Sequence, residues 1–162
     1  MDNRATIRIA TLDDPGPIAA LCLQLGYEAD AQALGSRLAY ILGDPRQAVF
    51  VADLPAARVV GWVHAFIACY LEAKPFAEIG GVVVDATCRR LGIGRRLMVA
   101  VEGWARNCGV RSIRVRSSVV RAEAHAFYES IGYCMVKEQY TFSKDVYLRE
   151  AQEPACLSPS IR

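Results

Sequence analysis

Residues 77–107 constrain this chain more than any other stretch. A β-rich run, Ala77–Asp85, passes through a glycine-bearing loop, Thr87–Gly94, directly into an amphipathic helix. The run is nearly continuous in apolar residues, the character of a central strand covered on both faces. The helix, expected from about Gly94 to Asn107, puts Leu97, Val101, Trp104, Ala105 and Cys108 on one side at helical spacing, and Gly109 is placed to end it. A loop that opens a helix is an anion site by construction. The first-turn N–H groups have no helical acceptor, and the macrodipole is positive there. Gly92 and Gly94 let the backbone approach a phosphate without an intervening Cβ, and Arg89, Arg90, Arg95 and Arg96 can neutralise a diphosphate. Two glycines alone also suit an ordinary tight turn. A Walker loop is excluded, because no lysine followed by Ser or Thr comes after Gly94. A dinucleotide fingerprint is excluded as well, since Gly92-Ile93-Gly94 continues as Arg-Arg-Leu without a third glycine.

Around this segment the pattern alternates between strand and helix. Residues 4–10 read as a half-buried strand through Ile7 and Ile9. Thr11-x-x-Asp14 resembles a capping signal, and Ile18, Leu21, Cys22 and Leu25 then recur at helical spacing up to Gly26. A second helix is expected after Asp30, with Leu34, Leu38 and Ile41 on one face and Gly43 at its end. Residues 47–53 and 58–70 read as a hairpin joined through Leu54-Pro55-Ala56-Ala57. Beyond the central helix, 111–117 alternates as a strand, about 122–131 is a short helix stopped by Gly132, and 133–136 with 139–144 are expected to form a final strand pair. The order β-α-α-β-β-β-α-β-α-β-β is a mixed α/β layer architecture. Residues 4–148 read as one domain, and 149–162, with two prolines and no periodicity, as a flexible C-terminal tail.

Composition narrows the function classes. At 162 residues the chain is long enough for one well-buried core. A net charge of +2 gives no reason to expect nucleic acid or an anionic membrane as partner. No apolar run approaches the roughly 20 residues of a membrane helix. Met1-Asp2-Asn3-Arg4 lacks the opening of a signal peptide, so the cytoplasm is the expected compartment. Six cysteines, at 22, 69, 88, 108, 134 and 156, include no C-x-x-C pair and are read as reduced, mostly buried thiols. With only His64 and His125 beside them, no metal site is expected.

Arg89-Arg90-Leu91-Gly92-Ile93-Gly94 resembles the [RQ]-x-x-G-x-[GA] signature of the GNAT superfamily of N-acetyltransferases. Ala77-Glu78-Ile79-Gly80-Gly81-Val82-Val83-Val84-Asp85 is similar to that family's central strand. His125-Ala-Phe127-Tyr128-Glu129-x-x-Gly132-Tyr133 is similar to its late helix and turn. The resemblance implies a GNAT-like fold: a central mixed, largely antiparallel sheet, splayed at a V-shaped cleft and flanked by about four helices. It implies acetyl-CoA as co-substrate, with the pyrophosphate on the amides of Leu91, Gly92, Ile93, Gly94 and Arg95 beside Arg89 and Arg90. Pantetheine would lie along Val82, Val83 and Val84, pairing with the main chain of Val82 and Val84. The Gly80-Gly81 pair suits the bulge at which such a strand diverges from its neighbour. One departure stands at Arg121, where many relatives carry an asparagine seven residues before the tyrosine.

The implied activity is transfer of an acetyl group to a primary amine of a small molecule, by direct attack in a ternary complex. A protein lysine or N-terminal acetyltransferase and a non-catalytic acyl-CoA-binding module are the alternatives. An alkylamine of pKa about 10 must lose a proton before it attacks at neutral pH. Glu78, eleven residues before Arg89, occupies the offset of the strand glutamate that some members use as base, with Glu72, Glu28 and ordered water as alternatives. Tyr128 is the expected acid for the departing thiolate; otherwise it is a core aromatic. His125 and His64 are read as locally bonded or structural, and Cys88 and Cys134 as bystanders. If the chain assembles, a homodimer is the expected form.

Overall fold

The computed structural model describes residues 5–55 and 58–146. The elements are β1 (Thr6–Ile9), α1 (Pro15–Gln24), α2 (Ala31–Leu42), β2 (Gln47–Leu54), β3 (Arg58–Tyr70), β4 (Ala73–Val84), a 3₁₀ turn (Ala86–Cys88), α3 (Ile93–Asn107), β5 (Ile113–Val115) and α4 (Ala122–Ser130). The five strands form one sheet in sequence order; β1 to β4 pair antiparallel and β5 joins β4 in parallel. This is the expected mixed, largely antiparallel sheet with four α-helices. The described residues fall into two compact units that divide between Arg116 and Ser117. Among them no helix is long and apolar enough to cross a membrane.

In the first unit the sheet is covered on both faces. Ile18, Leu21 and Cys22 of α1 and Leu38 of α2 pack on Val49, Val51 and Val83, with Trp62 beside them. The opposite face takes α3: a Cβ built on Gly61 meets Leu97, whose side chain is wholly buried. Burying a Leu, Val or Met side chain stabilises by about 1.5–3 kcal/mol, and Leu97, Met98, Val101, Val51, Val60 and Val63 are all enclosed. Helix ends follow local chemistry. Asp30 caps α2 by accepting from the Ala33 amide at 2.7 Å. The signal at Thr11 works in the reverse sense. Asp14 stands at the N-cap of α1 without capping it; its carboxylate accepts from the Thr11 amide at 2.7 Å and from Arg8 at 2.8 Å. Arg8 also reaches Asp53 at 3.0 Å, so Arg8 ties β1, β2 and, through the buried Asp14, the start of α1 together.

Several sequence expectations shift. β4 begins at Ala73, four residues early, because the β3–β4 hairpin closes through Leu71-Glu72 and extends the ladder to Tyr70–Ala73. β5 shortens to three residues, the length over which β4 offers it a partner. Trp104 of α3 is half-buried, and Cys108, the C-cap just past its end, is exposed. Cys69 and Cys134 are exposed too; Cys22 and Cys88 are buried, and Cys156 lies outside the described residues. Ala56 and Ala57 of the β2–β3 connection and the tail 149–162 also lie outside them.

The second unit holds α4, but residues 133–146 form neither helix nor strand. The expected strand pair is therefore absent. Met135, Val136, Tyr140 and Phe142 have β-forming character, yet all are more than three-quarters exposed. Strand propensity expresses itself only where a neighbouring edge completes the ladder and a face is buried.

Candidate active site

The parallel ladder between β4 and β5 runs only from Ala77–Ile113 to Ile79–Val115. At the next residue β4 bulges. His64 pairs with Gly81 and Ala65 with Ile79, so Gly80 is the extra residue on β4. Glycine is required at both bulge positions by space. A Cβ on Gly80 would stand 2.9 Å from His64 Nδ1, and one on Gly81 2.9 Å from Trp62 Cη2. Beyond the bulge, Val82–Val84 keep β3 on one side and have no strand partner on the other among the described residues. An edge of unpaired main-chain groups thus begins where the two strands part. Val82 and Val84 are half-buried and turn their main-chain groups to this edge, while the Val83 side chain is buried with residues of α1 and α2 and its main chain faces β3.

The edge leads into the loop. Asp85 accepts from the Thr87 amide at 2.8 Å and from its hydroxyl at 2.5 Å, bonds that hold its carboxyl below the usual range. Gln24 of α1 accepts from the Ala86 amide at 2.9 Å, and Arg89 donates to the Val84 carbonyl. Arg90 (φ 62°) and Gly92 (φ 75°) both take the left-handed conformation, uncommon for arginine. Gly92 is the N-cap of α3, and the first helical bond runs from the Arg96 amide to its carbonyl at 3.1 Å. The amides of Ile93 and Gly94 therefore stand without helical acceptors, no acid lies in the first turn, and Leu91 and Gly92 face open space.

Glu78 is 4% exposed, two residues before the bulge. The Arg116 guanidinium forms an ion pair with its Oε1, but off the alignment of a hydrogen bond. Glu78 shares its side of the sheet with its cross-strand neighbour Phe66, with His64, and with Phe76, over which Arg114 lies at 3.9 Å. His64 and Gln47 bond at 3.1 Å through Nε2 and Oε1, and burial lowers the His64 pKa, leaving the ring neutral at pH 7. Glu72, in the β3–β4 turn, and Glu28, before α2, are both exposed. Sequence reasoning missed Arg114 and Arg116, which alternation only set on the face opposite Ile113 and Val115. The available signal was the alternation of arginines alone; that they face Glu78 follows from strand register.

In the second unit Tyr128 is half-buried on α4, with ring centroids 5.4 Å from Phe127 and 6.1 Å from Tyr133. Burial raises its pKa, partly offset by the positive charge of Arg121, so the phenol keeps its proton at neutral pH. Arg121 is the N-cap residue of α4 and makes no side-chain cap. His125 bonds through Nε2 to the Ser118 carbonyl at 3.0 Å, the local contact expected of it.

A mixed sheet whose parallel pair parts at a bulge, followed by a glycine loop and a helix N-terminus, is the frame of an acyl-transferring enzyme. Residues 15–133 match the model of the acetyltransferase (GNAT) family, and the chain belongs to that family. It is accordingly an acyltransferase. It is 30% identical over 155 residues to aminoglycoside N(6')-acetyltransferase type 1 of Stenotrophomonas maltophilia, covering 93% of this chain and 95% of that one. It is 33% identical to aminoalkylphosphonate N-acetyltransferase of Salmonella typhimurium over 129 residues, 78% of this chain and 83% of that one. Among solved structures, aminoglycoside N-acetyltransferase AAC(6')-Iy in complex with CoA superposes with a TM-score of 0.80 at 20% identity, covering 89% of this chain and 97% of that one.

Proposed function

We propose that the protein transfers an acetyl group from acetyl-CoA to the primary amine of a small molecule, by direct attack within a ternary complex. The observation that carries this reading is the parting of β4 from β5. There the strand edge at Val82 and Val84 that β5 leaves open, the open amides of the α3 N-terminus and the buried Glu78 lie along a single strand and its loop. These groups fit the co-substrate: an extended amide-bearing arm can add to a strand edge, and a pyrophosphate suits a helix start flanked by arginines. Relatives named for aminoglycosides and for aminoalkylphosphonates support a small-molecule amine as acceptor.

Acetyl-CoA supplies an acyl carbon activated as a thioester. The chain's residues supply position and proton transfer. The Glu78 carboxylate takes a proton from the acceptor's ammonium, freeing the nitrogen lone pair to form the C–N bond. As the C–S bond breaks, the Tyr128 phenol gives its proton to the sulfur and is reprotonated from solvent, while the nitrogen sheds its second proton to solvent to leave the neutral amide and Glu78 releases the proton it took. No covalent acyl-enzyme is required. The test is acetyl-CoA-dependent thiol release against a panel of amines, with the acetylated product identified by mass. Hydrolysis without an acetylated amine, or no turnover of any amine, would overturn the reading.

A further inference from the structure

One buried carboxylate at this site is accompanied by two guanidinium groups. Arg114 pairs in register with Glu78 across the parallel ladder, and Arg116, two residues on, lies on the same side of β5 and forms the ion pair with Glu78. The Arg116 side chain is 74% exposed, so most of its N–H fork faces outward. Arg114 is anchored over the Phe76 ring at 3.9 Å, which occupies its π face and leaves the edge donors for an anion. Among the sheet residues around Glu78 on this side, Gln47, His64, Phe66, Phe76 and Gly80, none is acidic, and burial keeps His64 neutral. The local sum is one negative charge against two positive ones.

This arrangement decides what kind of amine can enter. Glu78 is 96% buried by its 4% exposure and must keep a counter-charge when an acceptor arrives. An ammonium that replaces Arg116 at the carboxylate leaves two guanidinium groups beside a new cation. Each further amino group on the acceptor adds repulsion. An acceptor that brings its own anion removes the conflict: its ammonium takes over Glu78, and its anion takes the Arg116 and Arg114 forks, for which planar bidentate binding is the favoured geometry. Adjacent strands lie about 4.8 Å apart, so a short aliphatic spacer suffices to reach from one strand to the other.

We propose, on the basis of the N-acetyltransferase reading above, that the acceptor is a small amine bearing a carboxylate or phosphonate a few carbons from its nitrogen, with Arg114 and Arg116 as its anion site. Polyamines and other polycations are disfavoured. The test compares kcat/KM for 2-aminoethylphosphonate, β-alanine, propylamine and 1,3-diaminopropane, all with acetyl-CoA. The expected result is at least a tenfold preference for one or both anionic amines over propylamine, with the diamine poorest; the two anionic probes separate phosphonate from carboxylate. In Arg114→Gln the anionic-to-neutral ratio should fall towards one, through KM. Arg114→Lys should retain part of it. A wild-type enzyme that uses the diamine as well as the anionic amines, or a preference untouched in Arg114→Gln, would overturn the proposal. If none of these four amines is turned over, calorimetric binding of 2-aminoethylphosphonate to the CoA-saturated protein decides the anion site, and the wider amine panel decides the transferase reading. Binding that is lost in Arg114→Gln supports it; no binding to the wild type rejects it.

Discussion

At the scale of single residues, the informative positions are charges and hydroxyls whose surroundings restrict what they can do. Glu78→Gln keeps the shape of a buried side chain, and Arg116, being exposed, regains water when its partner is neutral. The variant should fold and bind CoA, yet lose about 10²-fold or more in kcat, the usual worth of a general base. The loss should be greater at pH 6 than at pH 9. An amine of pKa about 10 is mostly protonated at the lower pH and most needs a base there. Equal kcat for both proteins across that range would move the role to water or to Glu72 or Glu28. Tyr128→Phe retains the ring contacts with Phe127 and Tyr133 and removes only the donor, so a fall of about 10²–10⁴-fold in kcat with an unchanged melting temperature is expected. Asp14 tests stability rather than catalysis. The Arg8 hydrogen bond holds its pKa below the usual carboxylate range. Its contribution is therefore full above the unfolded-state value of about 3.9 and is lost as pH falls through the lower folded value. Asp14→Asn should cost about 2–3 kcal/mol at neutral pH, and urea midpoints should show that difference shrinking as the pH drops below about 4.

At the scale of elements, the bulge in β4 is the feature on which the site depends. A Cβ at Gly80 or Gly81 would meet a side chain that cannot readily retreat. His64 is bonded to Gln47 and lies against Phe66, and Trp62 packs under α1 and α2. A methyl at either glycine should cost about 1–3 kcal/mol as overpacking and disturb the point where β4 leaves β5. Gly80→Ala and Gly81→Ala should therefore lower the melting temperature and raise KM for acetyl-CoA together. Gly16→Ala in α1, whose added methyl meets nothing within 4 Å, serves as the control and should be neutral or slightly stabilising. An unchanged KM in both bulge variants would separate the bulge from co-substrate binding.

At the scale of the whole molecule, the sequence was most legible where local chemistry and periodicity agreed. The α3 apolar stripe, the Asp30 cap, the β3 range and the Gly92 loop all lie within short windows that carry their own signals. It was least legible where structure depends on a distant partner. The strand character of 133–146 is real in composition, but no ladder is formed there. The charge environment of Glu78 was hidden because it arises from register between two strands 36 positions apart, as the pairing of Glu78 with Arg114 and the contact with Arg116 show. The same distinction bears on the loop, whose ligand is a whole-molecule property measurable by linkage. A ligand that binds only the folded state at a hundredfold excess over Kd stabilises by about 2.7 kcal/mol. For a chain of 162 residues that corresponds to a rise of about 5–11 °C in melting temperature. CoA should produce such a shift. Because Gly92 has φ 75°, any side chain there meets backbone strain, and strain must be separated from charge. Asparagine and aspartate tolerate that conformation best and differ by one negative charge. Gly92→Asn should keep most of the CoA shift, whereas Gly92→Asp, which sets an anion against the pyrophosphate, should abolish it. Equal shifts in the two variants would mean that the phosphates lie elsewhere.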